Sequence, residues 1–212
     1  MRLRFVRSIS IVAALAVVAG AARAQPAEAR QDAQSSFEPR SRPGAGQEYL
    51  ESFVGDWEVV KVFHPRAGEP VRTPGTCRQT MIHDGRFLQS EFVFEQGGRK
   101  STGLGLIGFD TPTGRFTSVW TDSRQTRMSL RQSRAPFDGK EIVLFSRTLD
   151  EEGKGQGQGP APSRTVSRIE AGGSKIVHRQ FSVAPDGKER LVMELVMTRK
   201  AGPQPAKGSI QH

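Results

Sequence analysis

Three charged residues fall on strand-like faces that are otherwise apolar. Alternation sets Arg86 in phase with Leu88, Phe92 and Phe94, Asp122 with Phe116 and Trp120, and Glu194 with Val192 and Val196. If those faces look inward, each charge must be paired or hydrogen-bonded, so Arg86 is expected against Asp122 or Glu194. Such a set has two readings. It can anchor the polar head of a mostly apolar ligand, with Trp120 beside it, or it can be a structural ion pair at a rim. The second is the commoner use of such pairs.

Other residue types offer less. His64, His83 and His178 lie far apart along the chain and far from Cys77, so no metal-ligand spacing emerges. The run Gly103-Leu-Gly105-Leu-Ile-Gly108 matches the dinucleotide fingerprint in form. That fingerprint needs a following helix, and here Asp110-Thr-Pro-Thr-Gly114 leads into another strand. These glycines are therefore expected to permit bending or close backbone approach. There is no Gly-x-Ser-x-Gly elbow, and the acids Glu51, Asp56, Asp150, Glu151 and Glu152 sit at helix ends or in loops. The sequence thus points to no catalytic residue, no metal site and no cofactor.

The elements that would position these residues are strands. Asp84-Gly85 and Gln96-Gly97-Gly98 supply the positive φ angles of tight hairpin turns, and Asp110 to Gly114 makes a third turn with Pro112. The spacing predicts strands over 57–64, 71–83, 86–95, 99–109, 115–122, 127–134, 141–149, 164–170, 175–183 and 189–200. Pro74-Gly75 suggests a bulge or an interrupted edge in the second of them. Tyr49, Leu50 and Phe53 predict a short helix over 47–53. About ten antiparallel strands joined by short turns remove their exposed edges most simply by closing into an up-and-down barrel. A barrel of that size commonly holds one small ligand.

The flanks read differently. Arg2, Arg4 and Arg7, an apolar run from Ile9 to Gly20 and Ala22-Arg23-Ala24 make a secretory signal cut near Ala24, too short for a stable membrane span. Residues 25–46 and 201–212 are polar, Pro-rich and expected to be disordered, as is the Gly- and Gln-rich loop 150–163. The domain itself is assigned to 47–200. The formal charge of +9 falls to +5 when the four arginines of the signal are removed. Acids and bases are interspersed, which argues against a nucleic-acid partner. Cys77 is the single cysteine, so an exported chain must hold its core without an internal disulfide, and Cys77 is expected as a small buried hydrophobe.

Gly55-Asp56-Trp57 after a helical turn resembles the Gly-x-Trp opening of lipocalins, in which the Trp closes the barrel floor under an Arg of the last strand. That resemblance makes Gly55, Trp57 and Arg199 the expected closure. Phe53-Val-Gly-Asp-Trp57, Asp84-Gly-Arg-Phe-Leu-Gln89, Gly103-x-Gly105-x-x-Gly108-Phe-Asp110, Trp120-Thr-Asp122 and Met193-Glu194 are similar, in the same order, to the blocks of the domain of unknown function 1579 family of largely exported bacterial proteins. The resemblance implies a lipocalin-like barrel and no particular reaction. Some lipocalin-like barrels hold haem through one His, and His178 lies on a predicted strand. A lone imidazole is more simply a surface or hydrogen-bonded residue.

The expectation is therefore an all-β, ten-stranded, periplasmic or secreted barrel with a small apolar molecule as partner. Arg86, Trp120, Asp122 and Glu194 are its ligand-binding candidates, and Trp57 and Phe87 its structural anchors. A filled barrel serving as an envelope interaction module, or an enzyme using the cavity, are the alternatives.

Overall fold

The structure, a computed structural model, describes residues 41–146 and 162–201. The expected signal at 1–24, linker residues 25–40, most of the loop at 150–163 and the tail from 202 lie outside the described residues. Strand-forming runs separated by glycine turns give β1 (Gly55–Phe63), β2 (Val71–Ile82), β3 (Phe87–Gln96), β4 (Arg99–Asp110) and β5 (Arg115–Asp122). They continue as β6 (Ser129–Gln132), β7 (Ile142–Ser146), β8 (Ser163–Glu170), β9 (Lys175–Val183) and β10 (Glu189–Arg199). One short helix, α1 (Ala45–Glu51), precedes them.

Each strand pairs antiparallel with its sequence neighbours, and β1 pairs with β10, which closes the barrel. Closure leaves no free sheet edge. The ladders are uneven. β3 and β4 pair over their full length from Phe87–Gly108 to Gln96–Arg99, around a turn in which Gly97 and Gly98 both take positive φ. β6 meets β7 only at Arg131–Ser146 and Gln132–Phe145.

The two ends of the barrel differ. α1 and the turns at 83–86, 111–114 and 171–174 gather at one end, which is the floor. The connections 64–70, 97–98, 123–128 and 184–188 surround the other, which is the mouth. At the floor, Gln47 Nε2 donates to the Phe109 carbonyl at 2.9 Å, and Gly46 lies so close to the Phe109 ring that a Cβ would overlap it. The helix therefore starts at Ala45, and Gly46 belongs to the packed floor rather than to the expected linker. Phe109, Phe116 and Phe137 pack against one another in tilted and edge-on contacts, and Tyr49 of the helix packs on Phe137.

Two local expectations need correction. β2 runs through Pro74-Gly75 with no break in its register to β1. Pro74 lies just beyond the β2–β3 ladder, which begins at Gly75–Phe94, so its missing N–H costs no bond there. Phe87 is an outward residue, 37% exposed, whose ring covers Gly108, and it anchors no core.

Candidate functional site

The barrel encloses a cavity of about 670 Å³ that runs from Leu50 and Phe53 at the floor to Phe63, Val71 and Arg124 at the mouth. That volume falls in the range of small-molecule sites. The floor is closed by the residues that the Gly-x-Trp pattern indicates. Trp57 is fully buried and its indole N–H donates to the Phe53 carbonyl at 3.0 Å. The Arg199 guanidinium rests 4.1 Å from the Trp57 ring and donates to the carbonyls of Ser52, Val54 and Gly173. Gly55 sits at φ 140°, and a Cβ there would strike the guanidinium. Only glycine lets that arginine lie down.

On the wall of β3 to β5, Trp120 packs edge-on against Phe92 with ring centroids 5.5 Å apart. Gly103 and Gly105 of β4 make room for the indole, since a Cβ on Gly103 would overlap it. This is the work of the Gly-x-Gly-x-x-Gly run, with Gly108 taking the Phe87 ring on the outer face. Trp120 Nε1 donates to Asp122 Oδ2 at 3.2 Å. Asp122 also accepts from Arg124 and Gln125 at the mouth. Burial works to raise its carboxyl, but these bonds from Arg124 and Trp120 outweigh it and hold the group down at about 2. Lys61, across the mouth, places its ammonium 4.2 Å from the Phe94 ring centroid.

The structure thus brings Trp120 and Asp122 together on the cavity wall and leaves Arg86 and Glu194 elsewhere. Arg86 is in phase with the inward residues Leu88, Ser90 and Phe92, yet it precedes β3. His83, Asp84 and Gly85 all take positive φ, and the turn carries Arg86 out to the carbonyls of His83 and Ser41 at the floor end. Asp122 ends β5 at the mouth, so the expected pair does not form. Glu194 faces outward and pairs with Arg179 at 2.6 Å. The reason is a bulge between Leu191 and Met193, which puts Met193, Leu195 and Met197 on the cavity side.

A second wall, built by β6, β8 and β9, is polar. Arg131, Thr165, Ser167, His178 and Gln180 line it, with Ile142 and Leu144 of β7 between. Ser167 Oγ and His178 Nδ1 are 2.7 Å apart. Burial first, and the nearby positive charge of Arg131 second, push the His178 imidazolium pKa down to about 4, so the ring is neutral at pH 7. No carboxylate bonds to His178 among the described residues, so this Ser–His pair lacks the acid of a triad. Arg131 Nε is buried with no hydrogen-bond partner among the described residues, and burial alone lowers its pKa. The only other such orphan atoms described are Arg115 Nε and, deep in the cavity, Gln79 Oε1. Gln79 Nε2 donates to Ser90 Oγ at 3.0 Å.

Sequence reasoning weighed His178 and missed Arg131. Within Arg127 to Arg134 the apolar residues are Met128 and Leu130, and hydrophobic alternation would turn that face inward. Only the phase of Ser129, Arg131 and Ser133, carried over from β5, would have found it. Cys77 is buried as expected, and burial raises its thiol pKa. Among the described residues no cluster of three His, Cys, Asp or Glu is placed for a metal ion, and no helix is long and apolar enough to cross a membrane.

A family model described as "Protein of unknown function (DUF1579)" matches residues 42–199. No curated protein is a significant match. Among solved structures, Rv2717c from M. tuberculosis is similar at 17% identity and a TM-score of 0.50, over 76% of this chain and 99% of that one. The S-type phycobiliprotein lyase CPES from Guillardia theta is similar at 12% identity and a TM-score of 0.50, over 79% of this chain and 98% of that one. At such identities the likeness is one of fold, and the fold is a lipocalin-like barrel.

Proposed function

The chain belongs to the DUF1579 family, and from that premise we propose that this member is a carrier or sensor that holds one small, mostly apolar molecule in its lumen. The observation that carries the reading is the cavity of about 670 Å³, closed at the floor by Trp57 and Arg199 and reachable from the mouth. A filled interior would have favoured an interaction module. Trp120 and Asp122 form one wall of the site, with Arg131, Ser167 and His178 on the other. The leader supports export, so the working form begins near Gln25.

Native mass spectrometry of the protein purified gently from its own host, followed by organic extraction, tests this reading. A stoichiometric small molecule on a chain that starts near Gln25 is expected. A bare polypeptide mass, with no probe able to enter the lumen, returns the reading to an interaction module.

A further inference from the structure

Among the described residues the cavity is lined by three basic side chains, Lys61, Arg124 and Arg131, and one carboxylate, Asp122. That carboxylate is fully engaged by Arg124, Gln125 and Trp120. Lys61 rests on an aromatic face. Arg131 has neither: it is set into the wall with no carboxylate partner among the described residues, and its Nε has no acceptor. A half-buried guanidinium whose Nε is held out of water without an acceptor carries a free-energy cost that a bound anion can recover.

Resting on the lumen-binding reading, we propose that the ligand is a monoanionic amphiphile whose carboxylate docks on Arg131. The neighbouring groups fit. The Ser167–His178 pair owns two hydrogens, one O–H and one N–H, and spends one on its internal bond at 2.7 Å. Whichever tautomer is present, one donor is left to offer beside the guanidinium. The neutral ring adds no second charge, so one guanidinium balances one negative charge, and a planar fork matches the two oxygens of a carboxylate. Leu88, Phe92, Ile142 and Leu144 give the remainder of the molecule an apolar bed. Among the described residues, the cationic excess toward the mouth draws anions in rather than out.

The test uses three twelve-carbon probes that differ only at the head: dodecanoate, dodecan-1-ol and dodecyltrimethylammonium. Each is titrated calorimetrically into the full protein, stripped of lipid, below the micelle range. Dodecanoate is expected to bind about tenfold or more tightly than dodecan-1-ol, the scale of a charge-assisted hydrogen bond. The cation is expected to bind weakest. In Arg131→Met the preference for dodecanoate should vanish while dodecan-1-ol binds as before. Arg131→Lys, which keeps the charge and loses the fork, should retain part of it. A thermal melt of each variant shows that it is folded. Equal binding of dodecanoate and dodecan-1-ol, or a preference that survives Arg131→Met, overturns the carboxylate site and leaves the lumen-binding reading standing. Failure of all three probes to bind overturns both.

Discussion

Two of the barrel's arginines, Arg199 and Arg131, are provided for in opposite ways. Arg199, at the floor, has three backbone carbonyls as acceptors and the Trp57 indole beneath it. Arg131, on the wall, has no acceptor for its Nε and no carboxylate partner among the described residues. Burial works against the charge of both. At the floor the fold returns what burial removes, so the contact holds the structure together. On the wall it does not, and the deficit is left for something that enters the cavity.

The largest expected effect therefore belongs to Arg199. Arg199→Met strands three carbonyls and uncovers the indole, which should cost about 3 kcal/mol or more in stability and lower Tm by roughly 6–12 °C. Urea unfolding of the stripped protein measures it. Equal stability in this variant would dissolve the contrast at its stronger end.

Next in size is a pH effect that isolates the polar wall. His178 is held neutral in the folded protein at about 4, whereas an unfolded imidazole titrates near 6.5. Between those values the unfolded chain binds the extra proton, so stability is full above about pH 6.5 and declines as pH falls toward 4. The loss attributable to this residue is roughly 3 kcal/mol in all. Carboxylates titrate in the same window, so the quantity to read is the difference between the native protein and His178→Gln. The variant should lack this component. Identical pH profiles would mean that the ring is not buried as a neutral base.

Arg131→Met should move stability in the other direction. Removing a buried charge that has no partner is expected to leave the stripped protein as stable as before, or more stable by about 1 kcal/mol. It also removes the smaller of the two influences on His178 and so lifts its folded pKa slightly: the pH decline should start at the same place, level off at a slightly higher pH and be slightly smaller in total, without disappearing. Destabilisation comparable to that of Arg199→Met would show that Arg131 is structural after all.

How these sites could be read from the chain follows from the same contrast. The floor was legible because it obeys the ordinary rules. Glycine turns and alternation set the strands, and the resemblance of Gly55-Asp-Trp57 to the lipocalin opening pointed to the Arg199 contact that the geometry contains. Trp120 and Asp122 were legible for the same reason, as the last inward positions of a regular strand. Arg86 and Glu194 were misplaced by single local departures, a turn with consecutive positive φ angles and a bulge. Pattern reading has no way to anticipate either, because each shifts the phase without changing composition. The polar wall was illegible in a deeper sense. Alternation assigns apolar residues to the inside, and on β6 the inward residues are Ser129 and Arg131 while Leu130 alternates to the other face. A wall built to meet a polar group inverts the signal used to find walls.

Gln79, on β2, offers the finest version of the comparison. It is buried at 5% exposure, its Nε2 is satisfied by Ser90 and its Oε1 is not. Gln79→Leu removes one made hydrogen bond, worth about 1 kcal/mol, and one stranded acceptor, whose burial costs about 1–3 kcal/mol. The leucine also adds apolar contact beside Leu88 on the same cavity wall. The losses and gains nearly cancel, so the expected change is within about 1 kcal/mol of zero, the smallest of the set. Denaturant unfolding at pH 7 is sensitive enough to rank it. If polar satisfaction sets the order, stability should rise from Arg199→Met through Gln79→Leu to Arg131→Met. A loss in Gln79→Leu as large as that in Arg199→Met would mean that its free carbonyl oxygen already has a partner. Among the described residues the cavity would then hold one orphan polar group, Arg131, for a ligand to settle on.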